Sequence, residues 1–164
     1  MSEPGDVLVM ADQPPGTRPC SVAAALEILG ERWSLLAVRE IGYGVHRFSK
    51  IAAYTGASRD LLADRLRKLE AAGIVERHQY SEHPPRYEYH LTQAGLDLFP
   101  VILALMSWGD RYLAGNGGPP LVLEHKCGHW LGAEVVCESC REPVTASETR
   151  PASAGSRPLP IPVG

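Results

Sequence analysis

Between residues 125 and 140 the chain reads HKCGHWLGAEVVCESC, which places the thiols of Cys127, Cys137 and Cys140 beside the imidazoles of His125 and His129. Three thiolates and one imidazole are a complete ligand set for tetrahedral zinc. The expected ligands are Cys127, His129, Cys137 and Cys140, with His125 as the alternative fourth. The stretch has few large apolar residues, so a structural metal would supply stability that its own core cannot. A Cys137–Cys140 redox pair and a tail with incidental cysteines remain alternatives. A catalytic zinc is disfavoured, since no carboxylate or open-site pattern accompanies the cluster.

A second chemistry lies in the cations. The chain of 164 residues carries a net charge of −3, yet residues 46–78 hold seven Lys or Arg against four Asp or Glu. A basic patch on an acidic chain suits a polyanion, because counterion release requires only the contacting surface to be positive. Cys20 is a third reactive group. Just ahead of a helix start at Ser21, its thiol feels the positive end of the helix dipole, which favours the thiolate. The competing reading of Cys20 is a small residue packed under the helix.

The elements that position these groups follow from periodicity. Residues 1–18, rich in Pro, Gly and Asp, are expected to form a disordered arm. "SVAAALEILG" reads as a helix with Ser21 as N-cap and Gly30 as stop, and "ERWSLLAVREIGYG" as a second with Trp33, Leu36 and Ile41 inward. "RFSKIAAYTG" is a short third helix ended by Gly56. Ser58 then caps a long fourth whose Leu62, Leu66 and Leu69 share one side. Two helices joined by so tight a turn make a helix-turn-helix. "IVERHQY" and "RYEYHLT", separated by "SEHPP", read as a β-hairpin, which turns the motif into a winged helix.

In that arrangement the N-terminal end of the fourth helix approaches base edges, so Ser58 and Arg59 are candidates for base or phosphate contact. Arg67 and Lys68 lie on its outer face, and Arg47 and Lys50 read as backbone clamps. His83 and Arg86 stand where a wing reaches a groove or a phosphate. Asp60 and Asp64 repel phosphate; accepting from cytosine, capping the helix and holding the arginines are all open to them. Arg65, at the edge of the leucine stripe, reads as structural and paired with an acidic neighbour.

After Thr92 as cap, "QAGLDLFPVILALMSWGDRYL" is apolar on two sides, with Phe99, Ile102, Met106 and Leu113 on one stripe and Leu98, Leu105, Trp108 and Tyr112 on its neighbour. Pro100 should kink or shorten it. A helix apolar on two sides needs a second partner, and a two-fold copy of the chain is the most economical one. The expected fold is therefore mainly α with a small β-hairpin: a winged helix-turn-helix and dimerisation domain over 19–114 with a C-terminal dimerisation helix. A linker over 115–120, a small zinc-binding extension over 121–145 and a disordered tail over 146–164 complete it.

The segments "CSVAAALEILGERWSLLAVREI", "FSKIAAYTGASRDLLADRLRKLEAAGIVER" and "PPRYEYHLTQAGLDLFPVILALMSWG", spanning about residues 20–113, resemble the HxlR-type bacterial transcriptional regulators, allied to the MarR group. The resemblance implies a homodimer that binds double-stranded DNA at an operator with two half-sites. It also implies a phosphate contact for Arg65, and it makes Cys20 a candidate sensor, since some members respond to electrophiles or oxidants through a cysteine at the matching place. A small-molecule effector would sit between the dimer helix and the Trp33 region.

Other classes fare less well. No phosphate-binding Gly loop or Ser-His-Asp spacing points to an enzyme. No apolar run approaches a membrane span, and the acidic N-terminus lacks the basic region of a signal peptide, so a cytoplasmic protein is expected. The alternative function is a winged-helix protein-interaction adaptor with a structural zinc site.

Overall fold

The computed structural model describes residues 20–151, with helices α1 (Ser21–Leu29), α2 (Arg32–Gly42), α3 (Phe48–Thr55), α4 (Arg59–Ala71), α5 (Gln93–Leu96) and α6 (Phe99–Leu113), and strands β1 (Val75–Glu82) and β2 (Pro85–Leu91). The expected arm over 1–18 and the end of the tail from 152 lie outside the described residues. The chain divides into two compact units, the break falling after Met106. That break lies inside α6 and not at the linker over 115–120, where a single 3-10 turn spans Gly115–Gly117.

The first unit is built on the leucine stripe of α4. Leu62, Leu66 and Leu69 are fully buried with Ile51 of α3, Ala37, Val38 and Ile41 of α2, and Ile74 and Val75 at the start of the hairpin. Replacing one such leucine by alanine in a close-packed site costs about 2–5 kcal/mol, so this stripe fixes α4 in the fold. The turn before it is equally determined. Gly56 adopts φ +73°, a left-handed conformation that only glycine enters without a steric penalty. The Thr55 hydroxyl donates to the Ile51 carbonyl (2.7 Å) and accepts from the Ala57 N–H, and the Ser58 hydroxyl accepts from the Leu61 N–H. α3 and α4 are therefore joined by three residues, of which Gly56 and Ala57 give their N–H groups to Ala52 and Thr55.

β1 and β2 are antiparallel, with Val75 opposite Leu91 and Gln79 opposite Tyr87, and toward the tip β1 runs two residues and β2 one residue further than expected, leaving only His83 and Pro84 as the turn. Tyr80 is a bulge between Gln79 and Ser81. Arg47 forms a bridge with Glu88, and the Tyr89 N–H donates to the His46 carbonyl, so the segment before α3 adds a short third edge to the wing. This explains why Glu88 and His90 are half-covered along with Tyr87 and Tyr89, where simple alternation would leave them in solvent.

Three boundaries differ from expectation. Cys20, not Ser21, is the N-cap of α1, and it makes no side-chain cap hydrogen bond. α1 also leaves Val22 and Leu26 more than half exposed and buries only Leu29. The expected single helix after Thr92 is two: Thr92 caps α5 through the Gly95 N–H, the helix stops at Leu96, and α6 begins at Phe99 with Pro100 in its first turn, where no N–H is needed. Gly95 sits under the hairpin so closely that a β-carbon there would collide with the Ile74 carbonyl oxygen. The third is the tail, whose start at Ala146–Glu148 is a 3-10 turn held by the Thr145 hydroxyl on Glu148 (2.5 Å).

The second unit contains two hairpins, over residues 123–131 and 135–144. Glu124 bridges Trp130 in the first and Val136 bridges Pro143 in the second. No helix of the described residues is long and apolar enough to cross a membrane.

Candidate nucleic-acid interface

The elements place the predicted cations in two groups. Arg47 at the N-cap of α3, Arg59 at the first turn of α4 and Arg86 near the wing tip line one open cleft of about 430 Å³, together with Phe48, Ser49, Tyr80 and Tyr87. The Arg47 guanidinium lies over the Tyr80 ring at 5.3 Å and 3.3 Å from Glu88, and that of Arg59 lies over Phe48 at 5.5 Å. Aromatic faces stabilise a cation without neutralising it, so Arg59 is held with its N–H donors available, whereas Arg47 gives its Nε–H to Glu88 and keeps only the donors of its terminal nitrogens. Lys50 and Tyr54 line an adjoining shallow cleft that shares Arg47. Ser58, Arg59, His83 and Arg86 are all exposed.

The other group centres on Asp64. Its carboxylate lies 3.3 Å from Arg65 and from Arg67 and 3.4 Å from Lys68. Of the roles open to this aspartate from sequence, the structure shows it holding cations of its own helix. Arg67 and Lys68 remain mostly exposed, so each keeps donors for a further anion. Arg65 does not. Its side chain is 11% exposed and also reaches Glu31 at 3.4 Å, tying α4 to the start of α2. Arg65 is turned inward beside the leucine stripe and paired with Glu31 and Asp64, the structural placement expected from its position, while its Nε is buried with no hydrogen-bond partner among the described residues.

Several members of the cleft were not expected from sequence. Tyr80 enters it because the bulge re-aims its side chain, and a bulge leaves no signature in a short alternating strand. Phe48 and Ser49 enter it because α3 starts there. The wing also carries a stack of imidazoles, His46 on His90 at 4.1 Å and His78 on His90 at 4.8 Å. Burial chiefly, then the two neighbouring imidazoles, hold the His90 pKa below its ordinary value, against the opposing pull of Glu88 and Glu76.

Of the two candidate histidines, His125 has its Nδ1 3.1 Å from Cys127 Sγ. Among the described residues no three His, Cys, Asp or Glu side chains converge as a metal-binding group.

Along α6, Val101, Leu105, Trp108, Tyr112 and Leu113 are each about half exposed or more, whereas Ile102 is buried. Leu113, on the same stripe as Ile102, is 72% exposed.

Residues 28–116 match the model of the HxlR-like helix-turn-helix family. An uncharacterised HTH-type transcriptional regulator of Mycobacterium tuberculosis, Rv3095, is 46% identical over 132 residues, covering 80% of this chain and 84% of its own. An uncharacterised HTH-type regulator of Bacillus subtilis, YdeP, is 35% identical and covers 57% of this chain and 73% of its own. Among solved structures, PA1607, described as a proposed transcription factor, aligns with a TM-score of 0.72 at 30% identity, over 81% of this chain and 94% of that one. A second such protein, PA1374 of Pseudomonas aeruginosa, gives 0.59 at 28% identity, over 85% and 95%.

Proposed function

The chain belongs to the HxlR-like helix-turn-helix family of transcriptional regulators, and on that premise we propose that it binds a two-half-site operator as a homodimer, through the cleft between α4 and the wing. The observation that carries this reading is the convergence of Arg47, Arg59 and Arg86 on one open cleft. Three guanidiniums from three different elements meet at the N-terminal end of the recognition helix, where a duplex lying across the motif presents phosphates and base edges. Arg59 is the residue for bases, able to engage a guanine through two hydrogen bonds. Arg47 and Arg86 clamp the backbone on either side of it. Lys50 and His83 extend the contact outward, and Ser58, Arg67 and Lys68 extend it along α4.

What supports two copies is an apolar stripe on α6, through Leu105, Trp108 and Tyr112, that is more than half exposed among the described residues. A two-fold pairing of α6 would cover this stripe and set the spacing of the two recognition helices. We further propose that the regulator is responsive, with Cys20 at the N-cap of α1 as the group modified by an electrophile. Treatment with a thiol-reactive aldehyde is expected to abolish operator binding by the natural protein and to leave binding by Cys20→Ser intact; equal loss in both would remove Cys20 from the account.

The main test is binding to the DNA upstream of the protein's own gene, titrated with salt. Specific binding that weakens steeply with ionic strength and is lost in Arg59→Ala supports the reading. Equal affinity for specific and competitor DNA, with no effect of Arg59→Ala, overturns it. An adaptor that used the same face for a protein partner would show neither the steep salt dependence nor the sequence preference.

A further inference from the structure

The two hairpins of the second unit are built to one plan. In the first, the Leu131 N–H donates to the Leu123 carbonyl, Glu124 bridges Trp130, the His125 N–H donates to the His129 carbonyl (2.9 Å) and the Gly128 N–H to the His125 carbonyl (2.8 Å). In the second, Val144 donates to Val135, Val136 bridges Pro143, Cys137 donates to Glu142 (2.8 Å) and Arg141 to Cys137 (2.8 Å). Position by position, Leu123, Glu124 and His125 correspond to Val135, Val136 and Cys137, and Cys127 through Leu131 to Cys140 through Val144. The second tip is one residue longer.

The correspondence extends to backbone conformation. Gly128 has φ +83° and Arg141 φ +62°, the latter being the one positive-φ residue other than glycine among those described. A left-handed arginine is sterically disfavoured, so the second tip keeps this conformation against the preference of its side chain. In both hairpins the left-handed residue follows a cysteine, and the residue that opens the tip, His125 or Cys137, is a metal-ligating type. His129 corresponds to Glu142, which lies past the left-handed residue on the returning arm.

We infer that His125, Cys127, Cys137 and Cys140 are the ligands of one structural zinc ion, two from each hairpin tip, and that His129 is not a ligand. Two of the donors already lie side by side in the first tip: Nδ1 and Sγ are 3.1 Å apart, and would open to about 3.6 Å as the N–S edge of a zinc tetrahedron with bonds of about 2.0–2.1 and 2.3 Å. The four side chains do not share a centre without the metal, so binding must draw the two tips together. The half-exposed apolar residues of this unit, Val122, Val135 and Val144 among them, form no core of their own, so the metal supplies the cross-link that fixes one hairpin to the other.

The test uses the full chain, purified under reducing conditions and reconstituted with zinc alone. Metal content is read by elemental analysis and coordination by the visible spectrum of the cobalt-substituted protein. One zinc per chain is expected, retained in His129→Ala, lost or at least tenfold weaker in His125→Ala, and recovered in His125→Cys with a spectrum shifted toward all-thiolate coordination. Wild-type protein that takes up no zinc overturns the inference, as does loss of zinc in His129→Ala or failure of His125→Cys to bind. Operator binding is not part of the readout, so this result stands apart from that of the cleft.

Discussion

Replacing Arg86 and Arg65 separately by alanine distinguishes an arginine that meets DNA from one that holds the fold. Arg86 lines the cleft with its side chain exposed. One phosphate contact lowers the slope of log K against log salt by about 0.9, which at 0.15 M salt is about 1 kcal/mol. A two-fold dimer loses the contact twice, so Arg86→Ala should weaken operator binding by about 2 kcal/mol, roughly 30-fold, and flatten the slope by about 1.8. Arg65 is different: its guanidinium lies within 3.4 Å of Glu31 and Asp64 and its side chain is 11% exposed. Removing it leaves a cavity beside the α4 stripe and strands part of the acidic charge, so Arg65→Ala should lower stability by about 1–3 kcal/mol while the salt slope of the folded fraction is unchanged. Fluorescence anisotropy at four salt concentrations and urea unfolding of each variant measure both quantities. An unchanged slope in Arg86→Ala, or a flattened slope in an equally stable Arg65→Ala, would refute the assignment.

Three further outcomes follow from particular contacts. Leu105→Glu places a carboxylate in the apolar stripe of α6 of each protomer; if that stripe is the dimer contact, the dimer should weaken by at least about 100-fold, several kcal/mol for two unpaired charges, and sedimentation should show a folded monomer. Gly95→Ala drives a methyl into the Ile74 carbonyl and should lower stability by about 1–3 kcal/mol, read as a reduced thermal midpoint; no change would mean that α5 moves away from the hairpin without cost. His90 has a folded-state pKa below the ordinary 6.5, so as pH falls below 6.5 the unfolded chain takes up a proton before the folded one does. The stability present above that pH therefore declines on acidification, and His90→Gln should flatten the decline in the urea midpoint between pH 7.5 and 5.5. His46, His78, Glu76 and Glu88 face the same ring and are left in place in that variant.

The winged helix-turn-helix was legible because its signals are local. The leucine stripe of α4, the Gly56 stop and the Ser58 cap are each decided within a few residues of sequence, and the structure places all three as expected. Alternation in β2 gave the hairpin, but not the Tyr80 bulge or the edge contributed by Arg47, since both depend on which strand lies alongside. The same limit separates Arg59 from Arg65. Both are arginines of one helix; the place of Arg65 beside the leucine stripe marked it as structural, but that its partner is Glu31 from the start of α2 depends on how the helices pack. For the Cys and His cluster, composition supplied the candidate ligand types, whereas the ground for proposing His125 over His129 lies in hairpin register. Two nine- or ten-residue hairpins with one residue inserted do not align by eye. Pro100 marked a break in the last helical run, but the break falls before it, at Asp97 and Leu98, because proline is tolerated in a first turn.

The central claim is that Arg47, Arg59 and Arg86, held in one cleft and doubled by a two-fold axis, read a specific operator. In vitro selection of the full-length protein on a random duplex library tests it most directly. The account predicts enrichment of a two-fold symmetric motif with half-sites about one helical turn apart, and no enrichment for a variant in which all three arginines are replaced by glutamine. A library that remains random with the natural protein, or the same motif recovered with the triple variant, would contradict it.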